Sequence, residues 1–234
     1  MSAHSSRLSD ASGRSDLLAL MRLMTGDDKH SDAAMSTLDA IWVLYDRILR
    51  VSPDAPDDPD RDRFLLSKGH GPTAYYAVLA AKGFIPLDVL PTFGAFDSPL
   101  GHHPDRTLLP GVEIGSGSLG HGLPIAIGVA LGLRAQRRDR PRVVCLVGDG
   151  ELDEGSNHEA IALAGRLNMG GQTAVVIDNH TAYHGWPGGI ATRFEVEGWA
   201  ATTVDGHDHE ALEAALRSTE PDRPTAVVAV TGEA

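Results

Sequence analysis

The stretch VVCLVGDGELDEGSNHEAIALAGRLNMGGQTAVVIDN, residues 143–179, decides the fold. It begins and ends with apolar runs, Val143 to Val147 and Ala174 to Ile177, and the residues between them have the periodicity of a helix. A strand, a helix and a second strand in this order form a parallel pair, whose carboxyl ends meet at one edge of a sheet. Polar residues follow both runs, so the unit predicts a ligand site at that edge.

The residues after these runs have the chemistry of a metal site. Asp149 lies in the turn Gly148-Asp149-Gly150, and Asn179 follows the second run thirty residues further on. Carboxylate and carboxamide oxygens suit Mg²⁺ or Ca²⁺, which also bind phosphate oxygens. A hairpin is the alternative interpretation of Asp-Gly, but a helical pattern follows here instead of a second alternating strand. We therefore expect the turn to lead into a helix whose first N–H groups face an anion.

Strands and helices alternate along the second half of the chain. Strands are predicted at 142–147, 173–178, 201–204 and 225–230, and helices at 17–25, 36–50, 73–82, 122–136, 155–168, 190–198 and 208–217. This alternation predicts an α/β fold of three layers, with a mostly parallel sheet between two layers of helices. Residues 52–61 are expected to form a solvated acidic loop, and residues 84–118 a long Gly- and Pro-rich loop of a kind that is often functional.

Composition narrows the classes of partner. The 234 residues suit one domain, 17–234, preceded by a flexible arm over 1–16. A formal net charge of −12 argues against nucleic acid or an anionic membrane as a partner, and no apolar run has the length of a membrane span. The single cysteine, Cys145, is expected in the core. Because neither a disulfide framework nor a signal-peptide pattern is present, we expect a cytoplasmic protein.

Five motifs, in this order, resemble the diphosphate-binding domain of transketolases. They are DRFLLSKGHGPTAYYAVLA (62–80), PLGHHPD (99–105), LLPGVEIGSGSLGHGLPIAIGVALG (108–132), GDGELDEGSNHEA (148–160) and IDNHTAYHG (177–185). The resemblance extends from about His30 to Val230, and it implies the thiamine diphosphate-binding fold of that family.

The resemblance also implies a cofactor site that contains thiamine diphosphate and Mg²⁺ or Ca²⁺. The implied metal ligands are Asp149, Asn179 and the backbone carbonyl of Thr181, with diphosphate oxygens and water completing the coordination. The residues implied to contact the cofactor are His70, Gly117, Leu119, Gly148, Gly150, Glu151 and Asn179.

Three histidines match family positions that face the substrate, and the resemblance implies a catalytic role for His70, His103 and His30. At His30 the family's flanking glycines are replaced by Asp28, Lys29 and Asp32, so the loop or its substrate contacts are expected to differ. His121 stands where many relatives have Gln.

Two glutamates match a further family position. Glu154 and Glu159 resemble interface glutamates that lie between two active sites and are proposed to share protons, which would raise the pKa of at least one of them. The alternative is a pair of exposed acids near the start of a helix, where the helix dipole favours them.

In the family, the glutamate that activates the cofactor lies in a second, pyrimidine-binding domain, for which this chain, ending at Ala234, has no room. We therefore expect an N-terminal subunit of a split transketolase, inactive without a separate C-terminal subunit, in an α2β2 heterotetramer. The expected reaction transfers a two-carbon ketol unit from a ketose donor to an aldehyde acceptor, in carbohydrate metabolism.

Three alternatives stay open at this point. One is a related thiamine-dependent carboligase subunit, which forms acyloins or decarboxylates a 2-oxo acid. Another is a catalytically silent cofactor-binding subunit. The third is a nucleotide-binding protein, because GSGSLG at 115–120 fits G-x-G-x-x-G, although no convincing strand precedes it.

Overall fold

The computed structural model of the chain describes residues 13–26 and 31–232. Its helices are α1 (Arg14–Met21), α2 (Ser31–Val43), α3 (Pro72–Ala81), α4 (Gly122–Ala135), α5 (Gly155–Arg166), α6 (Ile190–Glu195) and α7 (His209–Arg217). Its strands are β1 (Arg63–Leu66), β2 (Val143–Gly148), β3 (Gln172–Asp178), β4 (Ala200–Asp205) and β5 (Thr225–Val230). A π-helical turn, Leu44–Ile48, extends α2, and 3₁₀ turns lie at Leu87–Thr92 and Gly150–Asp153.

The strands form one sheet in the order β1-β2-β3-β5-β4, and every pairing is parallel. Side chains alternate between the two faces, as the period of a strand requires. Val144 and Leu146 of β2 join a core with α1, α2, α3 and α7, whereas Cys145 and Val147 join a core with α4, α5 and α6. The predicted three-layer α/β fold with a parallel sheet is therefore confirmed.

The strand missing from the prediction is β1. Its four residues are too few to show a period, and they lead directly into the Gly-rich segment 67–71. The other strands lie within two residues of their predicted bounds. Strands β2, β3 and β5 are apolar runs between turn signals, whereas β4, with the sequence AATTVD, is a less buried edge strand.

Two predicted helices begin three or more residues earlier in the structure. Helix α1 begins at Arg14, so residues 14–16 of the predicted arm are helical, while residues 1–12 of that arm lie outside the described part of the chain. Helix α2 begins at Ser31, five residues before its predicted start at residue 36.

The predicted long loop, 84–118, contains one 3₁₀ turn and no strand. It is packed on the core through Leu90, Leu100 and Leu109, which are at most 3% exposed. None of the helices in the described residues has both the length and the apolar composition of a membrane-spanning helix.

Asp62 fixes the start of β1 to its neighbours. Its carboxylate is 0% exposed and accepts hydrogen bonds from the backbone N–H groups of Arg50 (2.9 Å) and Arg142 (2.8 Å) and from the Arg50 guanidinium (2.7 Å). Burial alone would raise the pKa of Asp62, but these donors outweigh it, so the pKa is lowered. The ionised carboxylate thus joins β1 to the chain before it and to the start of β2.

We expect Asp62→Asn to lower the free energy of unfolding by about 2 kcal/mol, because it removes a charged acceptor from several buried donors. A lowered pKa means that the contribution of Asp62 is present above about pH 4 and is lost as the pH falls through the folded-state pKa. Urea unfolding should therefore show a gap between wild type and variant that narrows in acid. Asp60→Asn, at an exposed ion pair with Arg138, is the control, with a change within about 0.5 kcal/mol. A gap of constant size from neutral to acid pH would contradict the assignment.

Candidate functional site

The carboxyl ends of β1, β2 and β3 lie side by side, and each is followed by a segment that the sequence singles out. Segment 67–70 (SKGH) follows β1, Asp149 follows β2 and Asn179 follows β3. The register pairs Gly148 with Ile177, so the two polar residues leave neighbouring strands close to the same level. The strands thus provide the geometry on which the metal-site prediction depends.

Asp149 is a buried carboxylate, 1% exposed. It accepts hydrogen bonds from the N–H groups of Gly150 (2.8 Å), Thr181 (2.7 Å) and Ala182 (3.0 Å) and from the Thr181 hydroxyl (2.7 Å). All four donors are neutral. The loop after β3 therefore wraps around the carboxylate, while its negative charge is not neutralised by these contacts.

The Thr181 hydroxyl marks the point at which the predicted ligands converge. Its Oγ1 lies 2.7 Å from Asp149 Oδ1 and 2.8 Å from Asn179 Oδ1. A hydroxyl has one hydrogen to donate, so two acceptor oxygens face a single proton. Carboxylate and amide oxygens that lie this close to one point are the kind of ligands that a divalent cation prefers.

The third predicted ligand belongs to the same turn. The Thr181 carbonyl oxygen lies 3.3 Å from the position that a Cβ on Gly150 would occupy. In the described part of the chain, no three His, Cys, Asp or Glu side chains form a metal-binding group. One carboxylate with amide and carbonyl oxygens nevertheless matches Mg²⁺, which proteins commonly hold through one or two carboxylates plus substrate phosphates.

The glycines on either side of Asp149 allow other parts of the chain to lie close to its backbone. A Cβ on Gly148 would lie 3.2 Å from Lys68 Cδ, which is tighter than an ordinary contact. The Gly150 N–H, predicted to face the diphosphate, donates to Asp149 in this structure, and its contact with a cofactor stays a prediction.

His70 and His103 come together across the loops. Their ring centroids are 5.9 Å apart at an interplanar angle of 71°. The His103 ring lies against two glycines, since a Cβ on Gly69 would be 3.1 Å, and one on Gly117 3.2 Å, from its Cδ2. Gly117 has φ +125°, a conformation that favours glycine. His30, the third predicted catalytic histidine, lies outside the described residues.

Leu119, the other residue predicted to line the cofactor in this loop, is half-buried. The loop leads into α4 without a preceding strand, because residues 109–114 consist of turn, bend and irregular backbone. The nucleotide-binding interpretation of 115–120 therefore lacks the strand that its motif requires.

The Glu151 side chain points into the protein and links the loops of the site through hydrogen bonds. It is 3% exposed, and its carboxylate accepts hydrogen bonds from the Ser67 hydroxyl and from the N–H groups of Gly120 (2.9 Å) and Gly148 (3.3 Å). Burial raises the pKa of Glu151 despite these donors. Its side chain thus joins the loops after β1 and before α4 to the end of β2, and its predicted contact with the cofactor stays a prediction.

Lys68 and Asp153 also belong to the site, although no sequence pattern predicted a role for either. Lys68 is 7% exposed, and burial lowers its pKa to about 8, against the opposite effect of Asp149 and Glu151. The Asp153 carboxylate accepts hydrogen bonds from the N–H groups of Tyr183 (3.1 Å) and His184 (3.2 Å). These bonds hold the loop that follows Thr181. The only signal for Lys68 in the sequence was a charge between an apolar run and the segment Gly69-His70-Gly71.

Glu154, Glu159 and His121 are exposed in the single chain. Glu154 precedes the first residue of α5 and Glu159 lies in its second turn. This placement agrees with exposed acids near a helix start, and the shared-proton role at an interface stays a prediction.

The chain is similar to a family of known domains. The family model described as transketolase, thiamine diphosphate binding domain, matches residues 12–232. A protein of Rhodococcoides fascians named ferredoxin fas2 is 60% identical over 92% of this chain and 70% of its own length. One subunit of the apulose-4-phosphate transketolase of Actinobacillus succinogenes is 35% identical over 86% of this chain and 75% of its own.

Solved transketolases have the same fold. The R525L mutant of the Pichia stipitis transketolase superposes with a TM-score of 0.78 at 26% identity, covering 94% of this chain and 36% of that one. For the Campylobacter jejuni transketolase the TM-score is 0.75 at 26% identity, with 96% and 37% covered. The chain thus spans little more than a third of these solved proteins.

We expect Glu151→Ala to lower the free energy of unfolding by about 3 kcal/mol, because it leaves a buried hydroxyl and two N–H groups without their acceptor. Glu195→Ala removes a carboxylate from an exposed position at the end of α6 and is the control, with a change within about 0.5 kcal/mol. Denaturant unfolding measures both. If the two variants have the same free energy of unfolding, Glu151 does not stabilise the loops that it links.

Proposed function

Because the chain belongs to the family of transketolase thiamine diphosphate-binding domains, we propose that it is the subunit of a transketolase-like transferase that holds the cofactor's diphosphate. The observation that carries this proposal is the convergence of Asp149, Asn179 and Thr181 on one point beside a glycine turn. The ion proposed there is Mg²⁺, with Ca²⁺ as a substitute, held by the two side-chain oxygens and the Thr181 carbonyl.

The proposed reaction transfers a two-carbon ketol unit from a ketose to an aldehyde. Thiamine diphosphate, held through the metal site at Asp149, Asn179 and Thr181, would supply an electron sink for the electron pair left when the carbon–carbon bond next to the donor carbonyl breaks. His70 and His103, with ring centroids 5.9 Å apart, are the side chains proposed to hold substrate hydroxyls and to move their protons. His30 is proposed to join them from the segment before α2.

The proposed partner is a separate C-terminal subunit that carries the pyrimidine-binding domain, in an α2β2 assembly. Relatives whose names make them subunits of a transketolase support a division of this kind. Apolar side chains of the adjacent helices α4 and α5 also support it: Ile125 is 43% and Leu163 46% exposed. Apolar surface of this kind is typical of a protein interface. The single buried thiol, Cys145, fits a cytoplasmic location.

The test of the function begins with the tagged chain, purified from its native lysate with thiamine diphosphate and Mg²⁺. We expect a stoichiometric partner to co-purify, and the complex to form the lengthened ketose from a ketose phosphate and an aldehyde. Mass spectrometry identifies the partner, and chromatography of the products identifies the reaction. A chain that purifies alone, or a complex that converts no ketose, would contradict the proposal.

Asp149→Asn tests the metal. We expect the variant complex to lose Mg²⁺-dependent binding of thiamine diphosphate by at least about 100-fold, because a ligand charge beside the diphosphate is lost. Titration calorimetry with and without Mg²⁺ measures the affinity. Asp139→Asn, at an exposed position before β2, is the control and leaves binding unchanged. If Asp149→Asn leaves the activity of the complex intact, the catalytically silent subunit becomes the better interpretation.

A thiamine-dependent reaction of a 2-oxo acid is the second candidate. The name of the Rhodococcoides fascians relative, a ferredoxin, favours an oxidative form of this reaction, because ferredoxins carry electrons. Oxidation of a decarboxylated 2-oxo acid releases two electrons, whereas ketol transfer and acyloin formation release none. Pyruvate offered as the sole donor separates the two reactions: release of CO₂ without a ketose supports the second candidate.

A further inference from the structure

Lys68 carries a buried charge for which the proposed chemistry provides no use. The residue is 7% exposed, and lysine is almost never buried to this extent unless it is paired. Its aliphatic stem crosses the end of β2, where a Cβ on Gly148 would lie 3.2 Å from Lys68 Cδ. The side chain therefore passes directly beside the turn that carries Asp149.

The ammonium group ends on the first turns of α2. Nζ donates to the Ala33 carbonyl (3.1 Å), the Ser36 hydroxyl (3.0 Å) and the Thr37 hydroxyl (2.9 Å). These contacts use all three donors of the ammonium, and all three acceptors are neutral. A cation beside the start of a helix is also opposed by the helix dipole. The dipole therefore works against the contact, and the stability of α2 alone does not explain why a lysine is buried here.

A second contact joins the same loop to the same helix. Gly71, which precedes α3, has φ +69°, and a Cβ there would lie 2.2 Å from the Ala34 nitrogen. His70 lies between Lys68 and Gly71 in sequence, so contacts with α2 bracket it on both sides. Helix α2 begins at Ser31, immediately after His30.

We propose that Lys68 is a positioning residue: it ties the 67–71 loop to the first turns of α2, and so holds His70 and the start of α2 in the arrangement that cofactor binding needs. The inference rests on the proposed function. Burial leaves the pKa of Lys68 at about 8, so the ammonium is mostly charged at neutral pH. Its hydrogen bonds to α2 are therefore charge-assisted, which makes them stronger than neutral ones.

Variants of the chain, assembled with its partner, test the inference. Lys68→Met keeps most of the length of the side chain and removes its charge and donors. Lys82→Met is the matched control, since Lys82 pairs with Asp46 (2.6 Å) and lies over the Trp42 ring on the outside of the protein. Hydrogen exchange followed by mass spectrometry reports on residues 31–37 and 67–71, and calorimetry with Mg²⁺ reports the affinity for thiamine diphosphate.

We expect Lys68→Met to speed exchange in both segments and to weaken thiamine diphosphate binding about tenfold or more, as loss of an orienting partner typically does. Lys82→Met changes neither. Thr37→Val removes one acceptor, so we expect a smaller increase in hydrogen exchange and a smaller loss of affinity. In the Lys68→Met background it should add little, because the two residues share one contact. Thr37→Val also keeps the test available if Lys68→Met fails to fold.

The outcomes separate the inference from the function. If Lys68→Met speeds hydrogen exchange but leaves the affinity for thiamine diphosphate unchanged, Lys68 only stabilises α2. If hydrogen exchange is unchanged, Lys68 does not hold α2 at all. Either result overturns the positioning role. If the wild-type complex binds no thiamine diphosphate, the proposed function fails and the positioning role fails with it.

Discussion

The parallel register of β2 and β3 is the constraint on which the site depends. Gly148 is paired with Ile177, and both strands are buried on both faces. A slip of one residue would exchange the two faces of a strand and move Asp149 away from Asn179. Because the core side chains on both faces resist such a slip, the positions of the proposed metal ligands follow from the packing of the sheet.

The loops at this edge are then held by buried charge. Asp149 holds the loop after β3 by accepting hydrogen bonds from its backbone N–H groups. Glu151 holds the loops after β1 and before α4 by accepting hydrogen bonds from both. Glycine is required where those loops meet most closely: a Cβ on Gly122 would lie 2.2 Å from the Ser67 side chain. The Gly-rich segments that resemble a cofactor site in the sequence thus also allow the loops to fit together.

The prediction succeeded where the signal is local. Strands β2, β3 and β5 are apolar runs with turn residues on both sides, and the Asp149 turn precedes a helix as expected. The inward direction of Glu151 could not be predicted, because it depends on donors from loops 84 and 31 residues away in the chain. The same holds for Lys68, whose acceptors lie 31 to 35 residues away. Sequence patterns locate the segments, but the contacts between loops decide what each polar side chain does.

Charge explains why a metal and a diphosphate would occupy this site together. The chain has a formal net charge of −12, and the ends of β1 and β2 bring two buried carboxylates, Asp149 and Glu151, close to one ammonium, Lys68. A diphosphate adds negative charge, and like charges about 4 Å apart repel by roughly 4 kcal/mol per unit pair near a protein surface. Lys68 is already bound to α2 and cannot offset this alone. In the proposed function, a divalent cation held by Asp149 would reverse the sign of the local field, so the proposed diphosphate site would be complete only with the cation in place.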